Sequence, residues 1–149
     1  MPASRRLVTA ERELLQCFSS SIDLDRVRVY NNRSRLGRIM VRCSRGAAIA
    51  LGYHIFIPRD ATLPTMAHEL AHVAQFKEWG LLKYLTRGAW NQIVLRTLLG
   101  RDVYHWEPEP GKDFASYGME QQGQIVQDSF DSRSPRRASA QKLSPWSPR

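Results

Sequence analysis

This chain of 149 residues has few cysteines and no long apolar run, and both absences narrow its class. Its two cysteines, Cys17 and Cys43, are far apart and form no CxxC pair. A disulfide framework and a four-cysteine zinc site are therefore excluded, and we expect two ordinary buried thiols in a reducing compartment. No apolar segment approaches the roughly 18–20 residues that cross a bilayer, so no membrane span is predicted.

The N-terminal segment MPASRRLVTAER has two arginines but no apolar core after them. A classical signal peptide is therefore not predicted. We expect a protein that is cytoplasmic as made, and any export to follow a signal-peptide-independent secretion route.

Positive charge exceeds negative charge, with a formal net charge of +8. Residues 131–149 carry half of that excess and are rich in serine and proline, so we predict a disordered basic tail after a folded domain over residues 1–130. A nucleic-acid arm is the alternative, but Trp146 is the only aromatic residue of this tail. Nucleic acid is therefore not favoured as a partner.

The segment AHELAHVAQ at residues 67–75 contains one HExxH motif, made by His68, Glu69 and His72. Residues four apart lie one above the other on an α-helix, so the two imidazoles can bind one metal ion from one face. Glu69, next to the first ligand, is placed to act as the general base that activates water. The motif thus predicts the centre of a zinc-dependent hydrolase.

The helix that carries the motif is predicted from Thr62, a capping residue, to Glu78, just before Gly80. When successive residues are placed about 100° apart around the helix axis, the apolar residues form a stripe opposite the two histidines. The alternative to a metal site is an amphipathic helix on which both histidines are structural and have ordinary hydrogen-bond partners.

The remaining patterns predict an α+β fold, in which a small antiparallel sheet packs on helices around a central HExxH helix. The elements are a helix over 9–19, a strand ending at residue 30, a loop or irregular hairpin over 31–46, one or two strands over 47–57, a second apolar helix over 81–99, a polar loop over 100–116 and a helix over 117–130. The strand at residues 53–57 could be an edge strand that pairs with an extended peptide, although an ordinary sheet strand is the simpler interpretation.

A catalytic zinc ion normally takes three protein ligands, so a third ligand is needed. The candidates are His54, His105, Glu107, Glu109 and Glu120. Glu120 is favoured because it lies on a predicted helix beside an apolar stripe, and because Gly123 permits a close approach to the motif helix. A surface carboxylate remains the alternative interpretation of Glu120.

Two segments, AHELAHVAQ and GKDFASYGMEQQGQIVQDSF, resemble the small bacterial proteins known as Vgr-related proteins. They are also similar to a metallopeptidase domain found with contractile injection systems. The segments LVTAERELLQCFSSSIDLDRVRV and YHIFIPRD fit the same pattern, so the resemblance spans about residues 7–130. It implies a zincin-like, gluzincin-type arrangement with Zn²⁺ held by His68, His72 and Glu120 and with Glu69 as base. The family pattern also implies alanine at position 123, where this chain has glycine.

The predicted function is therefore a zinc-dependent metallopeptidase that hydrolyses a peptide or protein substrate and is linked to a bacterial secretion or injection system. An additional donor should stabilise the oxyanion or contact the substrate, and Tyr117, Tyr104 and His105 are the candidates. The alternative is a non-catalytic effector or accessory protein that keeps the zincin fold for binding. Glu69 discriminates between the two, because a purely structural zinc site does not need it.

Overall fold

The computed structural model describes residues 4–31, 33–90, 99–100 and 102–148. The helices are α1 (Thr9–Leu14), α2 (Arg35–Cys43), α3 (Leu63–Ala89), α4 (Met119–Phe130) and α5 (Arg137–Leu143), and short 3₁₀ segments span Gln16–Ser20 and Phe114–Ser116. The strands are β1 (Arg28–Asn31), β2 (Ile49–Leu51) and β3 (His54–Ile57). The fold is α+β, with a small three-stranded sheet packed on helices, as the sequence predicts.

The sheet has the strand order β1-β3-β2 and is mixed. Strand β2 runs antiparallel to β3, but β1 runs parallel to it. The prediction of a purely antiparallel sheet is therefore wrong. The reason is that β3, rather than β2, lies next to β1, and β3 runs in the same direction as β1. Since β3 lies between the other two strands, its interpretation as an edge strand for peptide pairing is also wrong.

Helix α2 lies where the sequence predicted a loop or hairpin. Ser34 caps the helix by accepting a hydrogen bond from the Gly37 amide at 2.9 Å. A Cβ at Gly37 would collide with the carbonyl oxygen of Asn31, so a glycine that looks like a loop residue instead allows close packing. The signal for this helix was in the sequence, because Leu36, Ile39, Met40 and Cys43 follow the spacing of three and four residues that marks one helix face.

The first half of α3 is buried on every side, from Met66 to Gln75. Its apolar side belongs to the main core with the sheet, and its polar side packs against α4 rather than facing solvent. The helix breaks at Gly80, whose backbone has φ 76 and ψ 168, in the region that favours glycine. The predicted end of the motif helix thus falls at this break, beyond which α3 continues to Ala89.

The second apolar helix was predicted over residues 81–99. Residues 81–89 are helical as the last part of α3. Residues 91–98 lie outside the described residues. Within the described ranges, no helix combines the length and apolar character needed to cross a membrane.

Residues 131–148 are ordered, which corrects the prediction of a disordered tail. Helix α5 packs on α4, and Trp146 lies buried in the main core. The Trp146 ring stacks on Phe18 with centroids 5.1 Å apart, and its indole nitrogen donates to the Ser21 hydroxyl at 2.9 Å. Serine, proline and arginine content suggested disorder, but one large aromatic side chain provides enough apolar surface to anchor the segment.

Replacing Trp146 with alanine is expected to lower the free energy of unfolding by about 3 kcal/mol, because it leaves a cavity beside Phe18 and removes a buried hydrogen bond. Urea denaturation followed by circular dichroism measures the change. Trp90→Ala is the matched control, since Trp90 is 57% exposed and its loss should change stability by no more than about 0.5 kcal/mol. Equal stability of both variants would mean that the tail does not pack on the core in solution.

Candidate metal centre

Helices α3 and α4 bring three potential metal ligands together. His68 and His72 lie one turn apart on α3, with their Nε2 atoms 3.1 Å from each other. The Oε2 atom of Glu120, in the first turn of α4, lies 3.5 Å from His68 Nε2 and 3.3 Å from His72 Nε2. All three side chains are buried, and their ligand atoms lie within 4.8 Å of one another, so the cluster could hold a metal ion.

Gly123 allows α4 to approach α3 this closely. A Cβ at position 123 would lie 2.7 Å from Nε2 of His68 and 2.8 Å from its Cε1. The resemblance implied alanine at this position, so a methyl group would have to fit here between α3 and α4. In this chain it does not, because the imidazole of His68 occupies the space that the methyl group would need.

Gly123→Ala is therefore expected to displace His68 and to weaken metal binding by about tenfold or more, because a ligand shifted by a fraction of an ångström cannot keep its coordination geometry. Competition with a chromophoric chelator measures the affinity. Gly88→Ala is the control, since a Cβ there meets its nearest neighbour only at 4.0 Å. An unchanged affinity in Gly123→Ala would show that His68 is not held against α4.

Two glutamines hold the imidazole of His72 in place on its Nδ1 side. The Nδ1 atom of His72 lies 2.7 Å from Gln75 Oε1, while Gln75 Nε2 donates to Gln122 Oε1 at 2.8 Å and to the Met119 carbonyl oxygen at 3.2 Å. Gln122 is fixed in turn by donating to the Tyr117 carbonyl oxygen at 2.9 Å. Because the amide nitrogen of Gln75 is committed to α4, its oxygen accepts the Nδ1 proton of His72, which leaves Nε2 free for a metal.

This supporting chain was missed in the sequence. Gln75 follows His72 by three residues on the motif helix, but the motif assigns no role to it, and no motif includes Gln122. The available signal was a buried amide within the motif helix together with a second glutamine two residues after Glu120. Spacing alone could not show that the two amides meet.

Glu69 is 4% exposed and faces the same site. Its Oε2 atom is buried and has no hydrogen-bond partner among the described residues. Burial raises the pKa of Glu69, and this effect is opposed by the neighbouring imidazoles of His68 and His72. A carboxylate left unpaired at this depth is costly, so it requires a polar ligand such as water or a cation nearby.

Charge couples the two histidines to Glu120. Burial alone would lower the pKa of His72, but the carboxylate of Glu120 outweighs it and raises the pKa of His72 to about 9. Burial would raise the pKa of Glu120, and the imidazoles of His72 and His68 hold it well below its usual range. Before a metal binds, His72 is therefore protonated at neutral pH, and its positive charge balances Glu120 as a metal cation would.

Metal binding is consequently expected to release a proton at neutral pH. Since the pKa of His72 is raised to about 9, its imidazole is protonated below that pH and must lose its proton to bind a metal. Affinity should rise by up to about tenfold per pH unit between pH 6.5 and 9 and then level off. Calorimetry in two buffers of different ionisation enthalpy measures the proton count, and a zinc affinity that does not change across this range would contradict the assignment.

A cleft of about 760 Å³ opens onto these residues. Its lining includes Thr65 and Glu69 from α3, Glu120 from α4, Met40 from α2 and the strand β2. The lining is mainly apolar away from the histidines. A partly apolar substrate fits this lining better than a small polar one.

The three additional candidates differ in position. Tyr104 lines the cleft, with its ring centroid 6.2 Å from that of His68. His105 is exposed and pairs with Glu107 at 3.4 Å. Tyr117 is buried against Trp106, and its hydroxyl donates to the Glu107 carbonyl oxygen at 2.9 Å. Of the three, the structure brings Tyr104 into the cleft and places the other two outside its lining.

The other residues considered as third ligands lie elsewhere. His54 is exposed on β3, where its Nδ1 atom lies 3.1 Å from the Tyr30 hydroxyl. Glu107 and Glu109 are exposed, and Glu109 pairs with Lys112 at 2.7 Å. Within the described part of the chain, Glu120 is the candidate that meets both histidines of the motif.

The donor set fits a divalent transition metal. Two imidazole nitrogens and one carboxylate oxygen are the ligands typical of a catalytic zinc ion, which keeps its fourth position open. Glu69 lines the cleft beside that set, and its buried Oε2 atom has no hydrogen-bond partner in the described part of the chain. The residues present therefore fit such an ion, and its identity is not fixed by the geometry.

No family model and no curated protein sequence matches the chain. Among solved structures, the chain is similar to the effector domain of Pseudomonas aeruginosa VgrG2b, with a TM-score of 0.69 and 28% identical residues. The match covers 94% of this chain and 81% of that domain. This similarity supports an effector-like protein related to the Vgr proteins.

Proposed function

We propose that this protein is a zinc-dependent metallopeptidase of the zincin type, in which His68, His72 and Glu120 hold the ion and Glu69 is the general base. The observation that carries the proposal is the buried carboxylate of Glu69, which lines the cleft beside a two-histidine, one-glutamate donor set. One of its oxygens has no hydrogen-bond partner among the residues that the structure describes. A binding site with a purely structural metal has no need for such a group.

When bound, the ion would polarise the scissile carbonyl group and lower the pKa of the attacking water. Glu69 would take the proton from that water and return it to the leaving amine. The raised pKa of Glu69 suits this exchange, because a carboxyl group with a pKa nearer neutrality both accepts and donates a proton readily. Tyr104, beside His68 in the cleft, is the side chain in position to contact the oxyanion or the substrate.

The similarity to a VgrG2b effector domain supports a role as an effector. We propose that this chain acts with a bacterial secretion apparatus and is exported by it. Its substrate would then be a peptide or protein that the effector meets after export.

The test is hydrolysis of an unfolded protein substrate by purified, zinc-loaded protein, with the products separated by mass spectrometry. The proposal predicts cleavage that a chelator abolishes and added zinc restores. If the zinc-loaded protein cleaves no peptide bond in a diverse substrate mixture, the alternative of a non-catalytic effector or accessory binding protein is favoured instead.

A further inference from the structure

The positive charge of this protein is concentrated in one segment. Residues 26–59 contain eight arginines and no lysine, aspartate or glutamate. These eight charges equal the net charge of the whole chain, because the excess of positive charge in residues 131–149 is offset by an equal excess of negative charge in residues 1–25 and 60–130. The segment includes β1, α2, β2 and β3, and it therefore forms one side of the cleft.

Helix α2 presents this charge as a stripe. Arg35, Arg38 and Arg42 follow a spacing of three and four residues, which places them on one face of the helix, and all three are exposed. Gly37 and Val41 form the buried face. The arginines are thus directed away from the protein core.

Exposed apolar side chains lie between that stripe and the cleft. Leu36 and Ile39 of α2 are exposed, Ile39 by 58%. At about 100° per residue, they fall on the same side of the helix as Met40 and Cys43, which line the cleft. The outer surface of α2 is therefore half cationic and half apolar, with its apolar half at the edge of the cleft.

The last part of α3 forms a second apolar edge on the same cleft. Leu85, Gly88 and Ala89 line the cleft, and Leu81 and Leu82 share their side of the helix. Leu81, Leu82 and Leu85 are all exposed, and Leu82 reaches 78%. Leucine side chains in such numbers rarely stay in water on a monomeric protein surface without a partner.

We propose that these two edges, named here the apolar rim (Leu36, Ile39, Leu81, Leu82 and Leu85), dock the protein on an anionic lipid surface. An acidic soluble partner would account for the arginines but not for the exposed leucines. A neutral apolar partner would account for the leucines but not for the arginines. An anionic bilayer accounts for both, because leucines enter the headgroup boundary while arginines pair with lipid phosphates.

Arginine suits this position, because its aliphatic stem can lie along apolar surface while the guanidinium group stays among the headgroups. Since both edges of the rim border the cleft, docking brings the mouth of the cleft to the lipid surface. Polypeptide segments held at or near that surface are then the substrates with the readiest access. The docking itself does not depend on metal or on turnover.

The test is flotation of the full chain with vesicles of phosphatidylcholine alone and of an equimolar mixture of phosphatidylcholine and phosphatidylglycerol. We expect binding to the anionic vesicles that weakens as salt increases, and little binding to the neutral ones. Leu82→Ser with Ile39→Ser should weaken binding by about tenfold or more. The triple variant Arg35→Gln, Arg38→Gln, Arg42→Gln should weaken it by about 100-fold, at roughly fivefold per charge.

Matched controls distinguish the effect of the rim residues on vesicle binding from the effect of removing apolar or basic side chains elsewhere on the surface. Val8→Ser with Leu14→Ser removes two exposed apolar side chains outside the rim, and the triple variant Arg6→Gln, Arg133→Gln, Lys142→Gln removes the same charge elsewhere. Both controls should bind much more tightly than the corresponding rim variants. The proposal is overturned if anionic vesicles bind no protein at low salt, or if rim and control variants lose binding equally. It is also overturned if the rim leucines have no effect while soluble polyglutamate competes fully, since an acidic protein would then be the partner.

Discussion

Glu69→Gln is expected to reduce peptide hydrolysis by about 10²–10⁴-fold and to leave zinc content unchanged. Glutamine keeps the size of glutamate but cannot accept a proton, so the water loses its general base. The position of Glu69 in the cleft beside the ligands, rather than among them, is the reason that metal should stay bound. Initial rates on an unfolded substrate, measured with zinc analysis of the same samples, give both quantities.

Glu78→Gln is the matched control, because Glu78 lies on the same helix and is exposed. Its rate should stay within about twofold of the wild-type rate. Full activity in Glu69→Gln would remove the assigned role of the residue. Loss of both activity and zinc in that variant would instead make Glu69 part of the metal site.

Glu120→Gln is expected to weaken zinc binding by about 100-fold or more. The substitution removes the negative charge that faces Nε2 of both His68 and His72 and replaces a strong oxygen ligand with a weak one. It also removes the main cause of the raised pKa of His72, so the pH dependence of zinc binding should become shallower. Titration against a competing chelator at several pH values measures both effects.

Glu109→Gln is the control for the third ligand, since Glu109 is exposed, pairs with Lys112 and was itself a candidate from the sequence. Its zinc affinity should equal that of the wild type. If Glu109→Gln weakened zinc binding and Glu120→Gln did not, the third ligand would come from the loop before α4 and the geometry at Glu120 would have no role in metal binding.

The sequence predicts the motif helix well because the pattern is local. The spacing of His68 and His72 defines one helix face, and Gly80 indicates where that face must end. The α+β class and the helix that carries Glu120 follow from similar periodic patterns. These features depend on residues within one or two turns of each other, so the chain needs no tertiary contact to reveal them.

The features that could not be predicted depend on distant contacts. Helix α2 is an exception, because Leu36, Ile39, Met40 and Cys43 have helical spacing and the helix could have been predicted; what the sequence does not show is that its buried face consists of Gly37 and Val41. The parallel pairing of β1 and β3 depends on which strand of the β2–β3 hairpin lies next to β1, and that is a contact between distant segments. Trp146 anchors the C-terminal segment through Phe18, more than a hundred residues earlier in the chain.

The candidate site divides in the same way. The spacing of His68 and His72 identifies two ligands but does not indicate which glutamate is the third. The contact between α3 and α4 identifies it as Glu120. The requirement for glycine at position 123 and the amide chain through Gln75 and Gln122 are consequences of that helix pair. A helix-to-helix contact determines them, and no single-helix pattern contains it.

The central claim is that these residues form one metal site, and metal content tests it most directly. Purified protein, reconstituted with zinc and freed of excess ions, should contain about one zinc per chain by elemental analysis. His68→Ala and Glu120→Ala should each lose most of that metal, whereas His105→Ala, at an exposed histidine, should keep it. No zinc in the reconstituted wild type, or equal zinc in all four proteins, would contradict the account.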